Sequence, residues 1–186
     1  MQKSAFPPTG GLYPVPVVLV SSIDKSSGKP NIITIAWCGM ACSEPPQLTV
    51  SIRPSRYSHR LIKETGDFVV NVPRASIIKS VDLCGVKSGR DIDKFEACSF
   101  TKLASSKVTS PSIQECPVSI ECRLKDIVKL GTHDMFIGEV LAIRIDNKIL
   151  DPKNKIDYLK ADPIVFNQGE YWSLGKRLAF YGFSAK

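Results

Sequence analysis

Short strand-like runs separated by turn-forming residues dominate this sequence. The segment 15–23 is mostly apolar and rich in valine, a pattern that predicts a buried strand. Residues 24–31 are dense in turn formers and should join that strand to a second one over 32–37. The segment 48–53 alternates apolar and polar residues, so the face that begins at Leu48 is expected to point into a core.

The order of these runs constrains the fold class. At least six strand-like runs and two or three short helices, one of them over 76–84 with Gly85 as its stop, predict a mostly β, largely antiparallel barrel or sandwich. A parallel Rossmann arrangement fits poorly, because long helices do not alternate with the strands and no G-x-G-x-x-G occurs. The 186 residues are enough for one domain, which is predicted to cover 1–186.

The segment from Ser51 to Ile62 carries the clearest chemical signal. A strand ends at Pro54, and a helix is expected to begin with Ser55 as its N-cap, to run to about Thr65 and to stop at Gly66. The first turn of a helix has backbone N–H groups without partners and the positive end of the macrodipole. Hydroxyls and guanidiniums at such a turn favour phosphate binding. The alternative is a capped helix with solvent-exposed arginines.

Charge and hydropathy limit the class of partner. The formal net charge is +7 and the pI is about 9.1, which suits an anionic small molecule and also permits nucleic acid. The basic residues are scattered, and charged strand faces such as 119–125 lack the interleaved aromatic residues of a nucleic-acid surface, so no nucleic-acid partner is expected. No apolar run is long enough to span a membrane, and the N-terminus lacks the apolar core of a signal peptide. The predicted location is the cytoplasm.

The six cysteines do not form a metal-binding pattern. Cys38 and Cys42 are spaced C-x3-C, and Cys116 and Cys122 are spaced C-x5-C, neither of which is a zinc-ribbon pair. The sequence has two histidines, so a histidine-rich metal site is excluded and no metal is expected. In a cytosolic protein such cysteines are mostly free thiols. A nucleophilic Cys–His pair stays open, although no local signature supports it.

Six segments occur in this order along the chain: 14–20 (PVPVVLV), 31–37 (NIITIAW), 45–58 (PPQLTVSIRPSRYS), 66–73 (GDFVVNVP), 88–95 (SGRDIDKF) and 133–140 (HDMFIGEV). Together they resemble the flavin reductase-like proteins, and most closely their flavoredoxin branch. Each segment alone is a weak signal, whereas the ordered series covers nearly the whole chain. A pyridoxamine phosphate-type oxidase of the same general architecture matches the series less well.

The resemblance implies an FMN-binding split β-barrel that forms a homodimer with the cofactor near the subunit interface. It also implies an FMN-dependent oxidoreductase of the flavin reductase type, which passes electrons between NADH or NADPH, flavin and a downstream acceptor. The alternative is a flavoredoxin-like electron carrier that holds FMN tightly, serves a redox protein partner and has no nicotinamide site. Such chemistry rests on positioning and electrostatics and needs no general base from the protein.

The resemblance also assigns residues to the cofactor. Those expected at the phosphate are Ser51, Arg53, Ser55, Arg56, Tyr57 and Ser58. Those expected along the isoalloxazine ring are Thr34, Ala36, Trp37 and Cys38. Two of them have a competing interpretation. Trp37 suits a core aromatic position equally well, and Cys38 suits an inert buried thiol better than a redox role.

Five further residues are assigned with an open alternative. Asn71 is expected to touch the cofactor or to cap a strand end. Lys94 is expected to approach the flavin or the phosphate from a loop, or to be a surface lysine. His133 is the candidate catalytic residue on the nicotinamide or substrate side, with a structural role as the alternative. Tyr171 and Trp172 are expected either to cover the flavin or to pack at a dimer surface.

Overall fold

A computed structural model describes residues 1–185 of the chain. The strands are β1 (Val15–Pro16), β2 (Val18–Ile23), β3 (Pro30–Ile35), β4 (Cys38–Ser43), β5 (Pro46–Ile52), β6 (Asp67–Val72), β7 (Lys102–Leu103), β8 (Ser112–Ile113), β9 (Val118–Lys129), β10 (Asp134–Ile145), β11 (Ile164–Asn167) and β12 (Glu170–Ser173). The α-helices are α1 (Tyr57–Thr65), α2 (Ile78–Val86), α3 (Lys94–Ala97) and α4 (Tyr158–Ala161). Short 3₁₀ turns occupy Ala75–Ile77, Asn147–Ile149 and Phe183–Ala185. None of the helices within residues 1–185 has the length and apolar character that a membrane crossing requires.

Seven strands form the main sheet, in the order β3-β2-β6-β9-β10-β5-β4. Every neighbouring pair in this sheet is antiparallel, so the predicted mostly β, largely antiparallel fold class is confirmed. A second sheet joins β1, β11 and β12, and β7 pairs with β8. The long β9–β10 ribbon is the central pair of the main sheet. It projects its connecting loop, which carries His133, toward the end of β5.

The sheet separates two apolar cores. Val18, Val20 and the alternating residues of β5 belong to one core, which also contains Phe68 and Phe136. Val17 and Leu19 belong to the other, which α2 and α3 cover. Because β2 is buried on both faces, Val18, Leu19 and Val20 are all apolar instead of alternating with polar residues, as is usual for strands covered on both sides. The prediction of a buried strand here, and that of a core face beginning at Leu48, are confirmed.

The helix after β5 begins later than predicted. A turn from Arg53 to Arg56, in which the Arg56 N–H donates to the Arg53 carbonyl (2.9 Å), separates it from the strand. Arg56 therefore occupies the N-cap position in an extended conformation, and the prediction that Ser55 is the N-cap was wrong. The predicted end is confirmed. Gly66 donates its N–H to the carbonyl of Ile62 and adopts φ +79°. A residue with a side chain would adopt this left-handed conformation only at a free-energy cost.

The second helix also differs from its prediction. A 3₁₀ turn precedes α2, and the helix continues through Gly85 to Val86, so Gly85 is not its stop. The glycine serves packing instead. A Cβ at this position would come within 3.3 Å of the Thr34 Cβ atom on β3, so the missing side chain lets α2 approach the sheet closely.

The close packing at Gly138 on β10 gives a test of the fold. A Cβ there would lie 2.6 Å from the Phe68 Cζ atom and 3.1 Å from the Cys122 Cβ atom, both in the core. Gly138→Ala should therefore lower the free energy of unfolding by about 1–3 kcal/mol through overpacking. Gly39→Ala is the matched control, since its Cβ would meet nothing within 4 Å. Urea denaturation measures both, and equal stabilities of the two variants would contradict the packing described.

Candidate functional site

Two adjoining cavities lie beside the N-terminus of α1. The first, called the basic cavity, has a volume of about 190 Å³. The second, called the apolar cavity, has a volume of about 340 Å³. Ile33, Arg56 and Gly85 line both, so the cavities are two ends of one groove. One end is polar and cationic, and the other is mostly aliphatic and aromatic.

Three chain segments converge on the basic cavity. They are the turn into α1, the loop between α2 and α3, and the start of α3. Four cationic side chains line it, namely Arg56, Lys87, Arg90 and Lys94. The hydroxyl-bearing residues Ser55, Tyr57, Ser58 and Ser88 line it as well. No acidic residue is among the described residues of its wall, so its electrostatic potential favours an anion.

The N-terminus of α1 is open toward this cavity. Within residues 1–185 no side chain caps the helix at Arg56, and the first turn of the helix contains no acidic residue. Tyr57 and Ser58, the first two residues of the helix, line the cavity. Ser58 is buried and its hydroxyl accepts a hydrogen bond from the Asn31 amide (2.7 Å). Backbone N–H groups without a side-chain partner, at the positive end of a helix, are suited to a phosphate.

A polar network fixes the aromatic ring of Tyr57 behind the basic cavity. Its hydroxyl donates to Asp24 Oδ2 (2.8 Å), and the guanidiniums of Arg60 and Arg90 lie 5.3 and 5.1 Å from the ring centroid. Hydrogen bonds from Ser26 and Tyr57 lower the pKa of Asp24, so this carboxylate stays ionised at neutral pH. The Arg90 guanidinium also donates to the Ser55 carbonyl (3.3 Å). The loop after α2 is thereby attached to the turn before α1.

Lys94 anchors the opposite wall of the basic cavity. The residue is 3% exposed, and its ammonium donates to the carbonyls of Ile32 and Cys84, both at 2.7 Å. Burial lowers the pKa of this lysine. An ammonium has three donors, so two hydrogen bonds to carbonyls leave one N–H for a group in the cavity. The alternative of a surface lysine does not describe this buried side chain.

The apolar cavity is enclosed by β3, the end of β5 and two aromatic side chains. Trp37 and Phe166 line it. The ring centroid of Tyr13 lies 6.1 Å from the ring centroid of Trp37 and 6.3 Å from that of Phe166. Trp37 is 41% exposed, so it is not a core aromatic residue. Flat aromatic walls beside an aliphatic floor suit a planar ring system.

The family of the chain follows from comparison with known proteins. A model described as "Flavin reductase like domain" matches residues 10–175. The chain belongs to the flavin reductase-like family. An uncharacterized protein of Archaeoglobus fulgidus is 40% identical over 148 residues, which cover 79% of this chain and 81% of the relative.

Solved structures agree with this assignment. The flavoredoxin of Desulfovibrio vulgaris (Miyazaki F) superposes with a TM-score of 0.93 at 32% identity, and the flavoredoxin from Methanosarcina acetivorans with a TM-score of 0.91 at 29% identity. Each likeness covers 100% of both chains. The predicted split-barrel fold is confirmed, although the main sheet of this flavin reductase-like protein is open, with β3 and β4 at its ends.

The groove of this flavin reductase-like protein brings most of the predicted residues together, in a different grouping. Ser55, Arg56, Tyr57, Ser58 and Lys94 line the basic cavity. Thr34, Ala36, Trp37, Ser51, Arg53, Arg56 and His133 line the apolar cavity. Ser51 and Arg53, predicted at the phosphate, thus lie at the other end of the groove. The turn before α1 is the reason, because it places the end of β5 and the start of the helix on different sides of Arg56.

Two predicted residues do not line the groove. Asn71 is fully buried, and its amide donates to the Leu19 carbonyl (3.1 Å) and the Ser21 hydroxyl (3.0 Å). Its Oδ1 atom accepts from the Ile113 N–H (3.1 Å) and from a serine hydroxyl on β9 (2.8 Å), so the side chain joins strands inside the core. Cys38 packs beside the first core, and burial raises the pKa of its thiol to about 12.

Sequence reasoning missed the loop that forms the outer wall of the basic cavity. Lys87, Ser88 and Arg90 line it, and a Cβ at Gly89 would come within 1.9 Å of Asn31 Oδ1, so the loop lies directly against β3. The motif 88–95 supported the resemblance but assigned only Lys94. Two cationic residues flanking a serine and a glycine, immediately after a helix, were the available signal.

The tail residues take different positions. The Tyr171 hydroxyl donates to Asp82 Oδ1 on α2 (3.1 Å), and its ring packs against Phe166, 6.0 Å away between centroids. It therefore supports the aromatic wall of the apolar cavity from behind. Trp172 is 54% exposed, and its two predicted roles, covering the flavin or packing at a dimer surface, stay predictions.

His133 offers a test of the electrostatics at the apolar end. Burial, and then the charge of Arg53, lower the pKa of this histidine, so it is neutral at pH 7. Arg53→Gln removes the positive charge that disfavours protonation, and the pKa of His133 should rise toward its ordinary value. NMR titration of the ring protons measures this shift. His59, paired with Asp134 at 2.8 Å, gives a comparison resonance in the same spectra. An unchanged His133 titration would show that Arg53 does not act on it.

Proposed function

We propose that the groove binds FMN and that the protein is an FMN-dependent oxidoreductase of the flavin reductase type. The observation that carries the proposal is that a cationic cavity adjoins an aromatic-walled cavity and that Arg56 lines both. FMN has the same two parts, a phosphate and a planar ring joined by a short chain. Membership of the flavin reductase-like family supports a flavin-binding oxidoreductase at a general level.

The phosphate would occupy the basic cavity. A phosphate monoester is close to dianionic and favours guanidinium groups together with several neutral donors. Arg56 and Arg90 supply the guanidiniums, and the hydroxyls of Ser55 and Ser88 lie on the same wall. The free N–H of the buried Lys94 ammonium adds a cationic donor, and among residues 1–185 no carboxylate pairs with it. Hydrogen bonds hold Arg90 and Lys94 in place before the ligand arrives, which lowers the ordering cost of binding.

The ring would occupy the apolar cavity. When bound, FMN supplies hydride-transfer and electron-transfer chemistry. The chain contributes position and environment: the Trp37 and Phe166 side chains exclude water from one side, and the Arg53 guanidinium places a positive charge at the end of β5. A positive charge beside the ring favours its reduced, anionic form. His133 remains neutral there and offers a hydrogen-bonding edge, with Nδ1 3.0 Å from the Thr132 hydroxyl.

Electrons would come from NADH or NADPH and pass to a downstream acceptor. His133 and Trp37 stand at the rim of the apolar cavity, where a nicotinamide ring approaching from solvent would meet them. The role proposed for His133 is positioning of that donor.

A second candidate function is a flavoredoxin-like electron carrier without a nicotinamide site, which serves a redox protein partner. The likeness to two flavoredoxins over the full chain favours this alternative.

A homodimer is part of the proposal. The C-terminal segment of this chain carries exposed apolar side chains, including Leu178 (90%) and Tyr181 (105%), and Trp172 and Met40 are exposed too. Apolar surface of this kind is typical of an interface. Sedimentation equilibrium of the purified protein measures the mass directly, and a monomer at micromolar concentration would contradict this part. The cytoplasmic location stays a prediction.

The first test concerns the phosphate. Purified protein mixed with FMN should retain it through desalting and stay yellow. Arg56→Ala should weaken FMN binding by about 1.5–3 kcal/mol, the range for a charge-assisted hydrogen bond. The matched control is Arg177→Ala, since Arg177 is exposed and lines neither cavity of the groove. Flavin fluorescence quenching gives both dissociation constants. Equal affinities for the two variants would remove Arg56 from the site.

The second test separates the two candidate functions. Anaerobic stopped-flow mixing of the FMN-loaded protein with NADH or NADPH should bleach the flavin absorbance rapidly. His133→Gln should slow the bleaching and leave the FMN dissociation constant within about twofold, because the residue lies at the far end from the phosphate. Bound flavin that stays oxidised with both nicotinamides, but is reduced by dithionite, would favour the electron carrier.

A further inference from the structure

Two cysteines meet beneath the loop that walls the basic cavity. The Sγ atoms of Cys84, near the end of α2, and Cys98, just after α3, are 3.7 Å apart. Both are free thiols. Cys84 is fully buried and lines the basic cavity, whereas Cys98 is half-buried. A disulfide has an S–S bond of about 2.05 Å, so the two sulfur atoms must move closer together for the bond to form.

The pair encloses a functional segment. Residues 85–97 run between the two cysteines and carry Lys87, Ser88, Arg90 and Lys94, which form one wall of the basic cavity. The Lys94 ammonium bonds to the carbonyl of Cys84 itself (2.7 Å). A covalent link between Cys84 and Cys98 would therefore close a loop around the whole wall and restrain it at its base.

We propose that Cys84 and Cys98 are a reversible redox site whose disulfide restrains the wall of the basic cavity. The oxidant is a small disulfide such as oxidised glutathione. The Cys98 thiolate attacks one sulfur of the small disulfide, its proton passes to solvent, and one thiol leaves. The Cys84 thiolate then attacks Cys98 Sγ and displaces the second thiol. Two protein thiols are oxidised, one S–S bond forms within the chain, and one small disulfide is reduced to two thiols.

The surroundings of the pair support this order of attack. Cys98 is half-buried and Cys84 is fully buried, so a small oxidant reaches Cys98 more readily. Burial raises the pKa of the Cys84 thiol, and the nearby ammonium of Lys94 opposes that effect. At neutral pH little of Cys84 is thiolate, so it reacts slowly with oxidants in solution. Its sulfur lies beside the sulfur that it must attack, and this proximity compensates for the small thiolate fraction.

Peptide mapping tests the bond without reference to any ligand. The full chain is treated with oxidised glutathione under native conditions, its remaining thiols are blocked, and it is digested with trypsin. The expected product links the peptides 80–87 and 95–102, each of which contains one cysteine. Dithiothreitol should release them. Cys116 and Cys122 lie together in the peptide 108–123, so a link from Cys84 to that peptide, or no link at all, would overturn the proposal.

Limited proteolysis tests the restraint. Lys87 and Arg90 are exposed trypsin sites within the enclosed loop. Oxidation should slow native cleavage at these sites by about tenfold, because a linked loop opens less often. Cys98→Ser should abolish both the link and the protection while the reduced protein folds as before. Cys42→Ser, at an exposed cysteine outside the pair, is the control and should keep both. Protection that persists in Cys98→Ser would overturn the proposal.

The effect on flavin rests on the proposed function. If the basic cavity holds the FMN phosphate, oxidised protein should release FMN more slowly than reduced protein, in parallel with the slower trypsin cleavage. The two ideas can fail separately. A linked, protected loop in a chain that binds no FMN would contradict the function and leave the redox site standing. FMN binding by a chain that forms no Cys84–Cys98 link would contradict the redox site and leave the proposed function standing.

Discussion

The buried ammonium of Lys94 joins the parts of the molecule on which the groove depends. It donates to the carbonyl of Ile32 on β3 and to the carbonyl of Cys84 on α2. An ammonium inside an apolar layer loses its hydration, which is a large free-energy penalty unless polar groups replace the water. The carbonyl dipoles supply part of that replacement. They hold α3 and the loop before it against the edge of the sheet, and the basic cavity exists because that loop stands there.

The same geometry explains how a chain with scattered basic residues presents one concentrated cationic site. Arg56, Lys87, Arg90 and Lys94 come from three different segments, and the described wall contains no carboxylate. Asp24 lies close by, but its oxygens are engaged with Ser26, Tyr57 and Arg60 behind the wall. Its negative charge therefore holds Tyr57 and Arg60 in place and does not neutralise the cationic groups that line the cavity. The uncapped end of α1 adds its dipole in the same direction.

The proposed phosphate site and the proposed redox pair share one loop. The wall that would hold a phosphate is short, exposed at its tip, and fixed at its base by one buried cation and a pair of thiols in contact. Segments with few buried apolar contacts open at low free-energy cost. Any restraint at the base of this loop therefore acts directly on the cavity that it encloses, whereas the sheet beneath, buried on both faces at β2, changes little.

Much of this protein was determined by local pattern. The alternation in β5, the buried run of β2 and the glycine that ends α1 follow from the periodicity of strands and from the backbone freedom of glycine, so sequence alone predicted them. The sequence also predicted a phosphate-binding segment at the start of α1, since hydroxyls and arginines cluster there within a few residues. Ser55 was misplaced as the N-cap because one extra turn is a difference that residue types do not encode.

Only the tertiary structure decided which of these residues face the groove. Lys94 suited a surface position by composition, yet packing of α3 on β3 buries it, and Asn71 suited the cofactor, yet its side chain bonds to groups on other strands inside the core. The loop with Arg90 was unassigned because its partners, the Ser55 carbonyl and the Tyr57 ring, lie more than thirty residues away along the chain. Contacts at such separations depend on how the sheet and helices pack, and no local pattern reports them.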